Sequence, residues 1–65
     1  MVNENYQSGY IFEFVYINDI VKVSVVCPNT KLEVSFQAPI NTHRMSLERL
    51  GMQKMQYLKN KLQRH

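Results

Sequence analysis

The sequence predicts an α+β domain of the order β-β-β-α, in which a three-stranded antiparallel meander carries one C-terminal helix across one face. Three observations lead to it. Residues 21–27 alternate between two faces with a period of two, as in a half-buried strand. Strand-like runs flank this stretch on both sides, each joined to it by a short turn. An apolar stripe with helical spacing follows after Pro39.

The first strand spans residues 10–17 and forms a hairpin with residues 21–27. Asn18 and Asp19 separate the two runs, and both residue types tolerate the positive φ of a two-residue turn. This turn places every aromatic side chain of the first strand opposite a valine, whereas a slip of one residue would destroy the match. The predicted pairs are Tyr16 with Val21, Phe14 with Val23 and Phe12 with Val25.

The third strand spans residues 32–38 and follows a four-residue loop that begins at Pro28. Its register places Leu32 opposite Cys27, and Pro39 ends it because proline cannot donate to a ladder. The aromatic row of the first strand resembles a base-stacking platform, but the helix needs an apolar face to cover. We therefore assign the row formed by Tyr10, Phe12, Phe14 and Tyr16 to the core.

A helix follows the sheet, with Asn41 as the predicted N-cap and Ile40 and Met45 as a hydrophobic staple. Gly51 interrupts the apolar stripe, and we interpret it as the point of closest approach to the sheet. Met52 lies off the stripe and is expected to be exposed. The stripe comprises Leu47, Leu50, Gly51, Met55, Leu58 and Leu62.

The chain is predicted to form one domain over residues 9–65, preceded by a flexible arm over residues 1–8. It has 65 residues, one cysteine and no run approaching the ~20 apolar residues of a membrane span. The polar start lacks a signal pattern. A single free thiol fits a reducing compartment, so the sequence predicts a cytoplasmic protein with no membrane partner.

The exposed face of the predicted sheet suggests how the protein functions. A domain of this size buries only about 60% of its unfolded surface, and neither a disulfide nor a cysteine-rich metal site is available to support it. We expect a non-enzymatic module for protein interaction or self-association, most simply a homodimer. Ile11, Val15 and Val26 form the predicted partner interface, and Val15→Lys is expected to weaken association without unfolding the monomer.

The alternative function is binding to the backbone of RNA or DNA through the helix. Residues 43–65 carry six lysines and arginines against one glutamate, whereas residues 1–42 carry two lysines against four acidic residues. Such asymmetry is typical of nucleic-acid partners and also of solvated helices. The helical charges do not form a stripe. The predicted contacts are Arg49, Lys54, Lys59, Lys61 and Arg64.

Catalysis finds little support in the sequence. Cys27 and His43 are the only nucleophile and base that could form a pair, and no third group is placed to orient the histidine. Cys27 lies on the same face of its predicted strand as the core valines, so we interpret it as a small hydrophobic residue. We therefore predict no catalytic residue, no metal site, no cofactor and no small-molecule substrate.

Several segments resemble a family of short uncharacterised proteobacterial proteins. They are residues 9–14, 21–24, 28–35, 38–39 and 54–58, and the resemblance spans roughly residues 9–60. Cys27 and Lys31 replace an aspartate and a glycine of the family pattern, which implies a left-handed Lys31. Some members carry a serine-hydroxymethyltransferase label, which we regard as mislabelling, because nothing here builds a pyridoxal-phosphate site. The resemblance implies no known activity.

Overall fold

The protein forms a four-stranded antiparallel sheet followed by one helix, as seen in a computed structural model that describes the backbone of residues 2–7 and all of residues 9–63. The strands lie in the order β1-β2-β3-β4, so each strand pairs with its neighbour in the chain. The predicted α+β class, with an antiparallel meander and a C-terminal helix, is confirmed. The elements are β1 (Val2–Gln7), β2 (Tyr10–Ile17), β3 (Ile20–Val26), β4 (Glu33–Pro39) and α1 (Arg44–Gln63).

Strand β1 is the element that the sequence did not predict. Residues 2–7 form a strand rather than a flexible arm, and they pair with β2 over six consecutive positions, from Val2 opposite Val15 to Gln7 opposite Tyr10. Gly9 has a φ of 81°, which suits the tight turn between β1 and β2. Main-chain pairing with β2 is sufficient to form this strand, so its sequence does not need an apolar period. Residues 1 and 8 lie outside the described residues.

The β2–β3 hairpin has the predicted register. All three aromatic–valine pairs form as expected, and Ile17 lies opposite Ile20 across the two-residue turn. Asn18 has a φ of 52°, the left-handed conformation that a short side-chain amide tolerates. Turn chemistry and hydrophobic parity therefore specify the same pairing.

The turn between β3 and β4 is closed by main-chain hydrogen bonds. The N–H of Cys27 donates to the carbonyl of Leu32 at 2.9 Å, and the N–H of Lys31 donates to the carbonyl of Cys27 at 2.7 Å. Lys31 has a φ of 66°, which confirms the left-handed conformation implied by the resemblance. Val25 lies opposite Val34, as predicted.

One face of the sheet carries the core. Phe12 and Phe14 are fully buried, which confirms that the aromatic row is a packing surface, and Tyr10 and Tyr16 pack against it half-buried. The valines of β3 are buried beside them. The core residues are Phe12, Phe14, Val21, Val23, Val25, Cys27, Leu47 and Met55.

The helix begins later than predicted. Its first residue is Arg44, and the N–H of Leu47 donates to the carbonyl of His43 at 3.1 Å, so His43 rather than Asn41 is the N-cap. The N–H of Thr42 donates to the carbonyl of Pro39, and this turn occupies the residues that the predicted cap required. Ile40 and Met45 are exposed and do not staple the start of the helix.

Gly51 is the point of closest approach between α1 and the sheet, as predicted. A Cβ atom built at this position would lie 2.8 Å from Cγ2 of Val25 and 3.0 Å from Cε2 of Phe12. Both neighbours are fully buried and cannot move into solvent. The missing side chain therefore sets how closely the helix can approach β2 and β3.

The buried stripe of α1 is narrower than predicted. Leu47, Gly51 and Met55 are buried at a spacing of four residues, and Met52 packs half-buried against the core instead of being exposed. Leu50 is 38% exposed because it faces the edge of the sheet. Leu62 is also exposed, one residue before the helix ends.

We predict that Gly51→Ala destabilises the domain. Alanine would favour an isolated helix by about 1 kcal/mol, but overpacking of a filled core costs about 1–3 kcal/mol. The expected net result is a lower free energy of unfolding in urea denaturation followed by circular dichroism.

Val25→Ala provides the matched background for this experiment. It removes the nearest contact atom, so Gly51→Ala should be much less costly there than in the wild type. A gain of stability from Gly51→Ala in the wild-type background would disprove the close contact.

Candidate functional site

Three basic side chains of α1 lie against aromatic rings of the sheet. The guanidinium of Arg44 lies 4.2 Å from the ring centroid of Phe14, and Arg44 also pairs with Glu48 at 3.5 Å. Near the other end of the helix, Nζ of Lys59 lies 5.0 Å from the ring of Tyr10 and donates to its hydroxyl at 2.8 Å. The third contact joins Lys54 to Phe36 at 5.8 Å. These cations hold both ends of the helix on the sheet.

An open groove of about 470 Å³ runs between α1 and β4. Tyr57 is 69% exposed beside it, and Leu50 lies two turns earlier on the same side of the helix. The groove is thus bordered by apolar side chains, with one cation among them. Its lining residues are Val34, Ser35, Leu50, Gln53, Lys54, Tyr57 and Leu58.

The main chain of β4 forms the free edge of the sheet beside this groove. Main-chain bonds join Cys27 to Leu32 and Asp19 to Ile40, so the residues of β4 that bond to β3 are those at even positions. The N–H and C=O groups of Glu33, Ser35 and Gln37 therefore point away from the sheet. Proline occurs only at the last position of the strand, where it leaves the edge open.

The opposite face of the sheet carries the interface predicted from the sequence. Ile11 and Val26 lie directly opposite each other, whereas Val15 lies four residues further along β2, opposite Lys22. All three are half-buried, and Ser24 between them is almost fully buried. No described element beyond the strands themselves covers this face. The structure thus brings together two of the three predicted residues.

The residues predicted to contact nucleic acid do not form one surface. Lys59 lies on the β2 side of the helix and Lys54 on the β4 side, each against an aromatic ring. Arg49 lines a second, smaller groove of about 210 Å³ with Met45, Glu48 and Met52. Lys61 is exposed, and Arg64 lies outside the described residues.

Cys27 and His43 lie near opposite ends of α1. The Cys27 sulfur interacts electrostatically with Lys59, whereas His43 immediately precedes the helix. Sixteen residues of helix span about 24 Å, so the two side chains do not form the pair that nucleophilic catalysis would need. Hydrogen bonds to Thr30 lower the pKa of the thiol from 9.0, although burial opposes them.

The described residues do not present a metal site or a membrane span. Residues 9–63 contain no group of three or more histidine, cysteine, aspartate or glutamate side chains that could hold a metal ion. In the same part of the chain, no helix has the length and apolar character needed to cross a bilayer.

Sequence reasoning missed the groove because it placed Leu50 in the core and left Tyr57 unassigned. The angular positions of the apolar residues around the helix could have indicated the groove. Leu50 and Tyr57 lie 60° and 80° to one side of Leu47 at about 100° per residue, whereas Gly51 and Met55 lie to the other. A stripe spread this widely around the helix cannot be covered by one flat sheet.

These features define a small α+β domain in which the helix covers one sheet face and the β4 edge of the sheet lies open beside an apolar groove. The chain belongs to the family described as domain of unknown function (DUF6898), whose model matches residues 7–63. This match confirms the resemblance to an uncharacterised family. No curated protein and no solved structure matches the chain.

Removing the hydroxyl of Tyr10 should loosen the C-terminal end of the helix. The hydrogen bond from Lys59 raises the pKa of the ammonium group above 10.5, so its contribution to stability is present below pH 10.5 and is lost as the pH rises through the folded-state pKa. Tyr10→Phe should therefore lower the unfolding temperature at pH 7. Tyr57→Phe is the control, because its exposed ring borders the groove on the β4 side of the helix whereas Lys59 lies on the β2 side. An equal effect of both variants would contradict the assignment.

Replacing Thr30 should raise the pKa of the Cys27 thiol. Because the folded-state pKa is lowered, the thiolate contributes stability above pH 9.0 that is lost as the pH falls through the folded-state pKa. Thiolate absorbance followed against pH should show a higher midpoint in Thr30→Val. Thr42→Val, a threonine in the turn before α1, should leave the midpoint unchanged, and an unchanged midpoint in Thr30→Val would refute the hydrogen bond.

Proposed function

We propose that this domain is a non-enzymatic self-association module of the cytoplasm. The observation that carries the proposal is the edge of β4, where unpaired main-chain groups lie beside a groove flanked by Leu50 and Tyr57. An exposed strand edge of this kind is a template for pairing with another strand. The single free cysteine supports the proposed compartment.

The size of the domain supports the same proposal. Eight apolar residues are buried in the described part of the chain, and the remaining apolar side chains of α1 and the sheet are partly exposed. Domains of this length usually gain stability from a disulfide, a metal or a second subunit. With one cysteine in the sequence, an intramolecular disulfide is excluded.

Two surfaces are candidates for the contact. The first is the open sheet face with Ile11, Val15 and Val26, which the sequence predicts. The second is the β4 edge with its groove. The first offers half-buried side chains, whereas the second offers unpaired main-chain groups together with exposed apolar side chains.

Binding of RNA or DNA through α1 has less support. Lys54 and Lys59 pack on aromatic rings, and the remaining basic residues are scattered around the helix. A phosphate backbone is bound best by cations that lie together and are free to release counterions. In this proposal the basic residues mainly attach the helix to the sheet.

Self-association is tested by sedimentation velocity over a series from low to high micromolar protein. The expected result is a concentration-dependent shift from monomer to dimer that persists in high salt, because main-chain and apolar contacts are weakly screened. A gel shift with RNA and DNA at low salt serves as the parallel measurement. A monomer at every concentration, with nucleic acid bound in a salt-dependent manner, would replace this function with the alternative.

A further inference from the structure

We infer that two copies of the chain join through antiparallel pairing of β4 with β4, which forms a continuous eight-stranded sheet with both helices on the same face. The inference rests on the proposed self-association and specifies its site. It differs from the interface predicted from the sequence, because it uses the edge of the sheet rather than the open face.

The first argument is the chemistry of the edge. Glu33, Ser35 and Gln37 each direct one donor and one acceptor outward, which is the pattern an antiparallel partner requires. A two-fold axis at Ser35 places Ser35 opposite itself and Glu33 opposite Gln37 of the second copy. No two like charges meet on this ladder, so the edge is compatible with itself.

The second argument is the spacing of the helices. Helix α1 lies above β3 and β4, and neighbouring strands are about 4.8 Å apart. Pairing at β4 therefore sets the two helix axes two to three strand spacings, or roughly 10–14 Å, from each other. Helices pack directly at about 8–10 Å, so the long side chains of Leu50 and Tyr57 are needed to bridge the remaining distance. A second copy thus fills the groove with its own helix.

The third argument is the match of side chains between the helices. A two-fold axis normal to the sheet makes the helices antiparallel. Lys54 lies over Phe36, next to Ser35, so the axis passes near the middle of the segment from Leu50 to Tyr57. Leu50 of each copy then meets Tyr57 of the other, and Lys54 meets Gln53. Side chains that are exposed in the monomer then form the contact between the two helices, which we call the seam.

The fourth argument is the available area. Strand β4 has seven residues, about 23 Å at roughly 3.3 Å each, and the domain extends 17 Å in each of its short dimensions. Two such sides in contact bury about 400 Å² on each copy, or roughly 800 Å² in total, which is the size of a weak and transient interface. The expected dimer is therefore reversible in the micromolar range.

The test compares variants of the edge and of the seam with matched controls. Ser35→Pro removes an outward N–H without breaking a bond to β3, and Ser35→Thr keeps that N–H. Tyr57→Lys places a charge in the seam. Met45→Lys makes the same change at a residue that is 70% exposed, close to the value for Tyr57, on another side of the helix.

Sedimentation velocity should show a dimer for the wild type, Ser35→Thr, Met45→Lys and Val15→Lys. The dimer dissociation constant should rise at least about tenfold in Ser35→Pro and Tyr57→Lys. Circular dichroism and thermal melting of each variant monitor the fold, and Tyr57→Lys carries the test alone if Ser35→Pro fails to fold.

Two results would overturn the inference, and they are distinguishable. A dimer that survives Ser35→Pro and Tyr57→Lys but is lost in Val15→Lys would place the contact on the open face and leave self-association standing. A wild-type protein that stays monomeric at high micromolar concentration would reject both the inference and the proposed function.

Discussion

The contact of Gly51 with Val25 and Phe12 is the constraint on which the rest of the structure depends. Without a side chain at Gly51, α1 approaches the sheet closely enough for Leu47 and Met55 to reach the core on either side. The height of the helix above the sheet then determines which basic side chains reach the aromatic rings. It also leaves room for the groove beside β4.

The basic character of α1 has a structural explanation in this arrangement. Arg44, Lys54 and Lys59 each lie over a ring of the sheet, and their long aliphatic stems cover apolar surface while the charges stay near water. Cations along the sides of the helix thus attach it to the aromatic face of the sheet. Three of the six lysines and arginines in residues 43–65 therefore have a role in attaching the helix.

The hairpin and the role of Gly51 could be predicted because local and long-range rules agree there. Asn18 and the aromatic–valine pairs require the same register. The left-handed conformation of Lys31 was implied by the resemblance to the family, since lysine alone does not favour a positive φ. Strand β1 could not be predicted, since its main chain pairs with β2 without an apolar period. The predicted start of the helix was wrong. Asn41 is a suitable residue type for an N-cap, but it lies within the turn from Pro39 to Thr42. The groove was missed because a linear stripe does not reveal how wide a face the sheet can cover.

The strand order β1-β2-β3-β4 has a consequence for the speed of folding. Every strand pairs with its neighbour in the chain, and the turns between them are short, so little loop entropy is lost before each contact forms. Such topologies have low contact order and reach the native state quickly for their content of sheet. The β2–β3 hairpin, whose register is the most strongly specified, is the element that we expect to form first.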